Sequence, residues 1–197
     1  MSNHIVYNLN LPDADVYYCA QFFSSKVSLA LFEKLNATIA WQQDHIKLFG
    51  KTYAQPRLTA LYANNSNPYS YSNITMYPRA FTEELQFCKS EIEKIVDVNF
   101  TSCLLNLYRH GQDSNGWHAD NEKELGDAPV IASLSLGAER MFHMKHRKDS
   151  KLKHKIKLEN GSLLIMKGST QTNWLHQVPK TKKVIGPRIN MTFRVIK

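Results

Sequence analysis

His118 and Asp120 stand one residue apart in the stretch GWHADNE (116–122), inside a run of polar and turn-forming residues. A histidine and a carboxylate so close together can share a metal ion if a third donor arrives from elsewhere. His176, in TNWLHQVP just beyond an apolar stretch at 162–167, is the candidate. Two imidazoles and one carboxylate bind Fe(II) on one face and leave three positions for a co-substrate and O2. Zinc takes the same donors, so ligand type leaves the metal open between the two.

A second group of residues fits an acidic co-substrate. In PRINMTFR (187–194) an extended chain places Arg188, Asn190, Thr192 and Arg194 on one face and Ile189, Met191 and Phe193 on the other. Two arginines on one face are costly in a dry core, but a bound dicarboxylate would neutralise both. Asn106 and Tyr108, alternating in LLNLYR, can add hydrogen bonds to the same acid. An edge strand with this polar face in water is the plainer alternative.

These residues need strands to carry them. After residue 100 short apolar stretches alternate with turn signals, and strands are expected at SCLLNLYR, VIASLSLG, RMFHMKH, HKIKLE, SLLIMKG and RINMTFRVI. Turns are expected at His110-Gly111, Asn115-Gly116, Gly137-Ala138, Asn160-Gly161 and Gly186-Pro187. Such spacing predicts a sandwich or jelly-roll barrel with helices packed outside, an α+β fold with the site at the barrel mouth.

The first helix is expected over 26–44, from the four-residue spacing of Val27, Leu31, Leu35 and Ile39. The second is expected over 82–98, with Thr82 as N-cap, Glu83 and Glu84 at its positive end, and Leu85, Cys88, Ile92 and Ile95 on one face. The stretch between them, rich in Asn, Ser, Pro and Tyr, reads as strand and long loop. One domain of 197 residues is expected, divided into a helical N-terminal extension (1–45), a lid (46–80) and a barrel core (100–197).

Composition narrows the setting. Cys19, Cys88 and Cys103 are odd in number and lack a CxxC, which suits buried thiols in a reducing compartment. No apolar run reaches membrane-spanning length and the N-terminus lacks a secretory pattern, so a cytoplasmic or nuclear protein without a membrane partner is expected. The net charge of +8 gathers in KHRKDSKLKHKIK (145–157) and KTKKVIGPR (180–188). Such runs serve either as a solvated face or as a polyanion contact.

Taken together, HAD, the distal His176, NLYR, IASLSLGAER, LENGSLLIM and PRINMTFR resemble the AlkB-type Fe(II)/2-oxoglutarate dioxygenases, from about residue 48 to the C-terminus. The resemblance implies a double-stranded β-helix with Fe(II) on His118, Asp120 and His176. It assigns Arg188, with Tyr108 and Asn190, to the distal carboxylate of 2-oxoglutarate, and Arg194 and Asn106 to the iron-chelating end, with Thr192 on the same face. The reaction implied is oxidative demethylation of 1-methyladenine- or 3-methylcytosine-type bases in DNA, with RNA or a protein or small-molecule substrate as alternatives.

The same resemblance places Tyr71 on the flipped base opposite His118, with Tyr69 nearby in NPYSYSN, and adds Arg57, Asn121 and Glu122 as substrate contacts. Glu122 would accept from an exocyclic amine, and Asn121 stands where relatives often carry an acid. Leu48, Phe49 and Gly50 in KLFGK match a duplex wedge, whereas PRLTALY and the stretch around HAD look like single-strand-preferring relatives. Strand preference therefore stays open. The basic run 145–157 would contact phosphates in either case, and a monomer is expected.

Overall fold

The apolar-outward, polar-inward alternation of residues 188–194 forms a strand buried on both faces, and the rest of the fold is arranged around it. A computed structural model describes residues 4–48, 50–67, 69–71 and 74–196, and only the backbone of Lys47, Leu48, Tyr69, Ser70, Tyr71 and Ile74.

Among these residues the strands are β1 (Tyr7–Asn8), β2 (Asp15–Cys19), β3 (His45–Leu48), β4 (Lys51–Ala54), β5 (Leu58–Ala63), β6 (Tyr69–Tyr71) and β7 (Ile74–Met76). They continue as β8 (Ser102–Tyr108), β9 (Asn115–His118), β10 (Ile131–Gly137), β11 (Arg140–His146), β12 (Lys153–Leu158), β13 (Leu163–Lys167), β14 (Trp174–Val178) and β15 (Arg188–Arg194). The helices are α1 (Ser25–Thr38), α2 (Glu83–Glu93) and the single turn α3 (Thr170–Asn173).

Strands β8 to β15 are dealt between two antiparallel sheets. The large sheet runs β1-β2-β13-β10-β15-β8-β5 and the small one β12-β11-β14-β9. This is the jelly roll that the strand spacing predicts. Its two faces carry separate apolar layers. Between the sheets lie Tyr108, Ile131, Phe142, Met144, Leu164 and Trp174. On the outer side of the large sheet, Leu105, Leu134, Ile189 and Phe193 meet Leu35 of α1 and Leu85 of α2. Strand β15 lies between β10 and β8, so its polar face looks into the barrel and not into water.

The helices are shorter than the apolar spacing suggests. Ser24 caps α1 by accepting from the Val27 amide at 3.4 Å, and the helix ends at Thr38 because Ile39 is already extended. Val27 is 36% exposed, and Ser28 occupies the buried face instead. Its hydroxyl sits against Gly161, where an added Cβ would come within 2.3 Å of it; with φ at +77°, glycine is required there twice over. Thr82 caps α2 as expected, but the helix ends at Glu93 and Ile95 is largely outside the buried face.

Several other sequence expectations differ from the structure. The segment 1–45 is not helical throughout: β2 pairs with β13 and extends the large sheet. Within 46–80, β5 pairs with β8 and belongs to the core, leaving two small hairpins, β3–β4 and β6–β7, on either side of it. Met76 of β7 packs on Leu61 and Leu104, which seats the second hairpin over the barrel. Asn115-Gly116, expected as a turn, opens β9, and WLHQV forms a strand that apolar spacing does not separate. The three cysteines are free and buried. Among the described residues no helix is long and apolar enough to cross a membrane.

Candidate metal centre and active site

Cross-strand register builds the metal cluster. His118 ends β9 and pairs with His176 of β14, so both rings enter the barrel side by side, with centroids 4.2 Å apart. The chain then leaves the strand and turns Asp120 inward, where its carboxylate accepts from Arg194 Nη2 at 2.9 Å. One donor atom from each of the three residues lies within 4.8 Å of the others.

Protonation states suit a metal. His118 Nδ1 is 2.8 Å from the Gly116 carbonyl, which can only accept, so Nδ1 carries the proton and Nε2 keeps its lone pair. Burial, and then the neighbouring His118, push the His176 imidazole down to about 3. Burial also lowers His118, against the opposing pull of Asp120. For Asp120 burial acts upward, but Arg194, His176 and His118 together hold the carboxyl below its ordinary range. Two neutral imidazoles and an ionised carboxylate are the ligand forms a divalent cation needs. Asp120 Oδ1 is buried and has no hydrogen-bond partner among the described residues, which leaves it for the cation.

The other half of the site surrounds a buried charge. Arg188 is 1% exposed, its Nη2 donates to Ser135 Oγ at 2.8 Å, and its guanidinium carbon is 5.2 Å from the Tyr108 ring centroid. Its Nε and Nη1 have no hydrogen-bond partner among the described residues. Burial pulls its pKa down to about 10, so it remains a cation at neutral pH. Arg140, also buried, differs in donating to the backbone carbonyls of Asp113 and Pro179. Arg188 therefore fits an acid that the protein itself does not provide. Asn190 donates to Ser133 Oγ at 2.8 Å, Thr192 to Asn190 Oδ1 at 3.4 Å, and Arg57 Nε to Asn106 Oδ1 at 2.7 Å. Asn190, Ser133, Thr192, Arg57 and Asn106, with Tyr108 and Arg194, line one cavity shared with the metal cluster; Arg188 is not in that lining and meets it through the Tyr108 ring.

The remaining expected residues are placed less centrally. Glu122 is partly buried, and burial followed by the Asp120 charge raises its carboxyl above the ordinary range; Asn121 is exposed. Tyr69 and Tyr71 belong to β6, of which the backbone alone is described. Gly50 adopts φ +77° beside β4, the backbone of Leu48 closes β3, and Phe49 lies outside the described residues.

Four further residues serve the site without standing out in the sequence. Asn115 Nδ2 approaches His118 Nε2 at 3.2 Å, Ser133 and Ser135 hold Asn190 and Arg188, and Gln171 Oε1 accepts from the Asp120 amide at 2.9 Å. The Ser-x-Ser alternation in IASLSLG carries the signal for the two serines. Nothing local marks Gln171, which reaches Asp120 across 51 positions. Gln171→Leu should keep the fold by circular dichroism yet weaken Co(II) binding about 10- to 100-fold, the usual cost of losing a partner behind a ligand. Unchanged affinity in a Co(II) absorption titration would show that Asp120 needs no such anchor.

An iron centre that holds O2 and an acid co-substrate together needs both halves of this cavity, and that requirement defines the 2-oxo-acid-dependent oxygenases. The chain belongs to the 2OG-Fe(II) oxygenase superfamily, whose family model matches residues 15–194. Fe(II) and 2-oxoglutarate are accordingly its cofactors.

Its relatives include AlkB homologues. Alpha-ketoglutarate-dependent dioxygenase alkB homolog 3 of Bos taurus is 42% identical over 190 residues, covering 92% of this chain and 66% of that protein. The Homo sapiens protein of the same name is 42% identical over 175 residues, covering 84% and 60%. DNA oxidative demethylase ALKBH2 of Arabidopsis thaliana is 35% identical over 215 residues, covering 93% and 67%. The chain thus spans 60–66% of the length of these alkB homolog 3 proteins. The solved structure of OsALKBH1 shares the fold, with a TM-score of 0.66 at 16% identity, over 91% of this chain and 97% of that one.

Proposed function

We propose that this chain is an oxidative demethylase of N-alkylated bases in DNA, acting on 1-methyladenine- and 3-methylcytosine-type lesions. The observation that carries the reading is the buried His118/Asp120/His176 cluster sharing a cavity with Asn106, Tyr108, Asn190, Thr192 and Arg194, in a chain 35–42% identical to proteins named alkB homolog 3 and DNA oxidative demethylase ALKBH2. Fe(II) with 2-oxoglutarate and O2 supplies the oxidant that hydroxylates the methyl group, which leaves as formaldehyde while the acid becomes succinate and CO2.

The protein's own residues hold and orient. His118, Asp120 and His176 would hold the iron, and Arg194 fixes the Asp120 carboxylate. Arg188, with Tyr108 and Asn190, anchors the far carboxylate of 2-oxoglutarate. Asn106, Thr192 and Arg194 flank its chelating end. The lid comprises the two hairpins within 46–80, with Tyr69, Tyr71, Arg57, Asn121 and Glu122 around the extruded base. Leu48, Phe49 and Gly50 serve as the wedge if duplex DNA is opened. A cationic methylated ring suits aromatic faces beside a carboxylate.

The test is mass spectrometry of 3-methylcytosine oligonucleotides incubated with Fe(II), 2-oxoglutarate and ascorbate, as single-strand DNA, duplex DNA and RNA. The expected result is loss of one methyl mass from DNA that requires 2-oxoglutarate and fails in His118→Ala. Loss from RNA alone would move the substrate to RNA. Consumption of 2-oxoglutarate with every oligonucleotide unchanged would overturn the nucleic-acid reading and leave the iron site standing.

A further inference from the structure

The outer face of the small sheet is positive without a partner that explains it. In the β11–β12 register Lys145 lies opposite Lys153, His143 opposite Lys155, and Met141 opposite Lys157. Like charges directly opposite destabilise a sheet. Lys157 is offset by Glu139 at 2.9 Å and Glu159 at 3.6 Å. Among the described residues no carboxylate lies within ion-pair distance of Lys145, Lys153 or Lys155. The neighbouring depression, walled by Lys145, Arg147, Lys148 and Lys153 with Ser150, contains no acidic side chain either.

An aromatic ring stands in this field. Trp117 precedes His118 on β9, so the strand's alternation turns it to the outside as His118 turns to the metal. It is 39% exposed, with the Lys145 ammonium 4.4 Å from its ring centroid. Phosphates neutralise such a row of lysines, and a base can stack on such a ring; one ligand that supplies both at regular spacing is a single nucleic-acid strand. An acidic peptide supplies the charge but not the stacking plane.

We propose that the outer face of the small sheet, from Trp117 across Lys145 and Lys153 to Lys155, is a track for the single strand that flanks the base in the active site. The proposal rests on the demethylase reading for its substrate, and it adds a dependence on strand length. A substrate too short to leave the cavity gains nothing from the track, whereas a longer one is held by it.

The test compares the iron-loaded protein with its Lys153→Gln/Lys155→Gln variant on 3-methylcytosine strands of increasing length, with polarisation binding of unmethylated strands in parallel. The variant should match the parent on the shortest strands and bind long ones more weakly. Its plot of log affinity against log salt should be shallower by about 0.7 for each phosphate that the variant no longer neutralises. Strand addition should quench tryptophan emission in the parent and not in Trp117→Leu. Equal binding and equal salt slopes for parent and variant at every length would overturn the track, as would polyglutamate displacing the long strand as well as DNA of equal charge does. If the variant binds long strands poorly while neither protein demethylates any strand, the track stands and the demethylase reading falls.

Discussion

Arg188→Met should abolish the response to 2-oxoglutarate while leaving the metal-free protein as stable as before, or more so. The guanidinium is buried, hydrogen-bonded to Ser135 through one nitrogen, and without a hydrogen-bond partner among the described residues at the other two. Burial holds its folded pKa, about 10, below the ordinary guanidinium range, so the charged form costs stability in full at neutral pH. A methionine of similar reach removes that cost and fills much of the same space. Binding of the acid behaves in the opposite way. Removing one partner of a buried charged pair costs roughly 2–5 kcal/mol, or about 30- to several-thousand-fold in affinity.

Thermal denaturation with and without 2-oxoglutarate checks both halves at once, because a ligand that binds the folded state raises the midpoint with the logarithm of its concentration relative to Kd. Arg188→Lys keeps the charge without the planar fork and should fall between the two proteins. A methionine variant that still gains stability from 2-oxoglutarate would mean that the acid binds elsewhere.

The second large effect separates two metal ligands. Asp120→Ala and His118→Ala should both reduce turnover to background, since each removes a donor from a three-donor set. The aspartate variant should weaken the metal-free fold more. Asp120 and Arg194 form an ion pair at 2.9 Å with side-chain exposures of 2% and 5%. Breaking such a pair on one side typically costs about 3–5 kcal/mol, because a buried charge loses its compensation. The expected urea midpoint is therefore lower for Asp120→Ala than for His118→Ala, measured without metal. Asp120→Ala/Arg194→Met should recover much of the difference, which a double-mutant cycle resolves. Equal midpoints for the two single variants would show that the pair contributes nothing to the resting fold.

The class of fold and the kinds of residue at the site are legible from residue order alone. Strand alternation is a local property with a period of two, so the polar face of Arg188, Asn190, Thr192 and Arg194 shows without any partner strand. Thr82 is legible as a helix cap for the same reason, since it acts within three residues. The donor types of His118, Asp120 and His176 restrict the metal chemistry before any distance is known.

How those parts meet is a property of the packed molecule. Residues 188–194 cease to be an edge-strand candidate only because β10 and β8 take their two sides. The barrel's recruitment of β2 and β5 depends on long-range pairing that no window of sequence contains. So does the anchoring of Asp120 by Gln171, and the Ser135 hydroxyl that meets Arg188. A side chain's direction follows from its neighbours along the chain, but its partner is set by register between distant strands, and register is fixed only when the whole core packs.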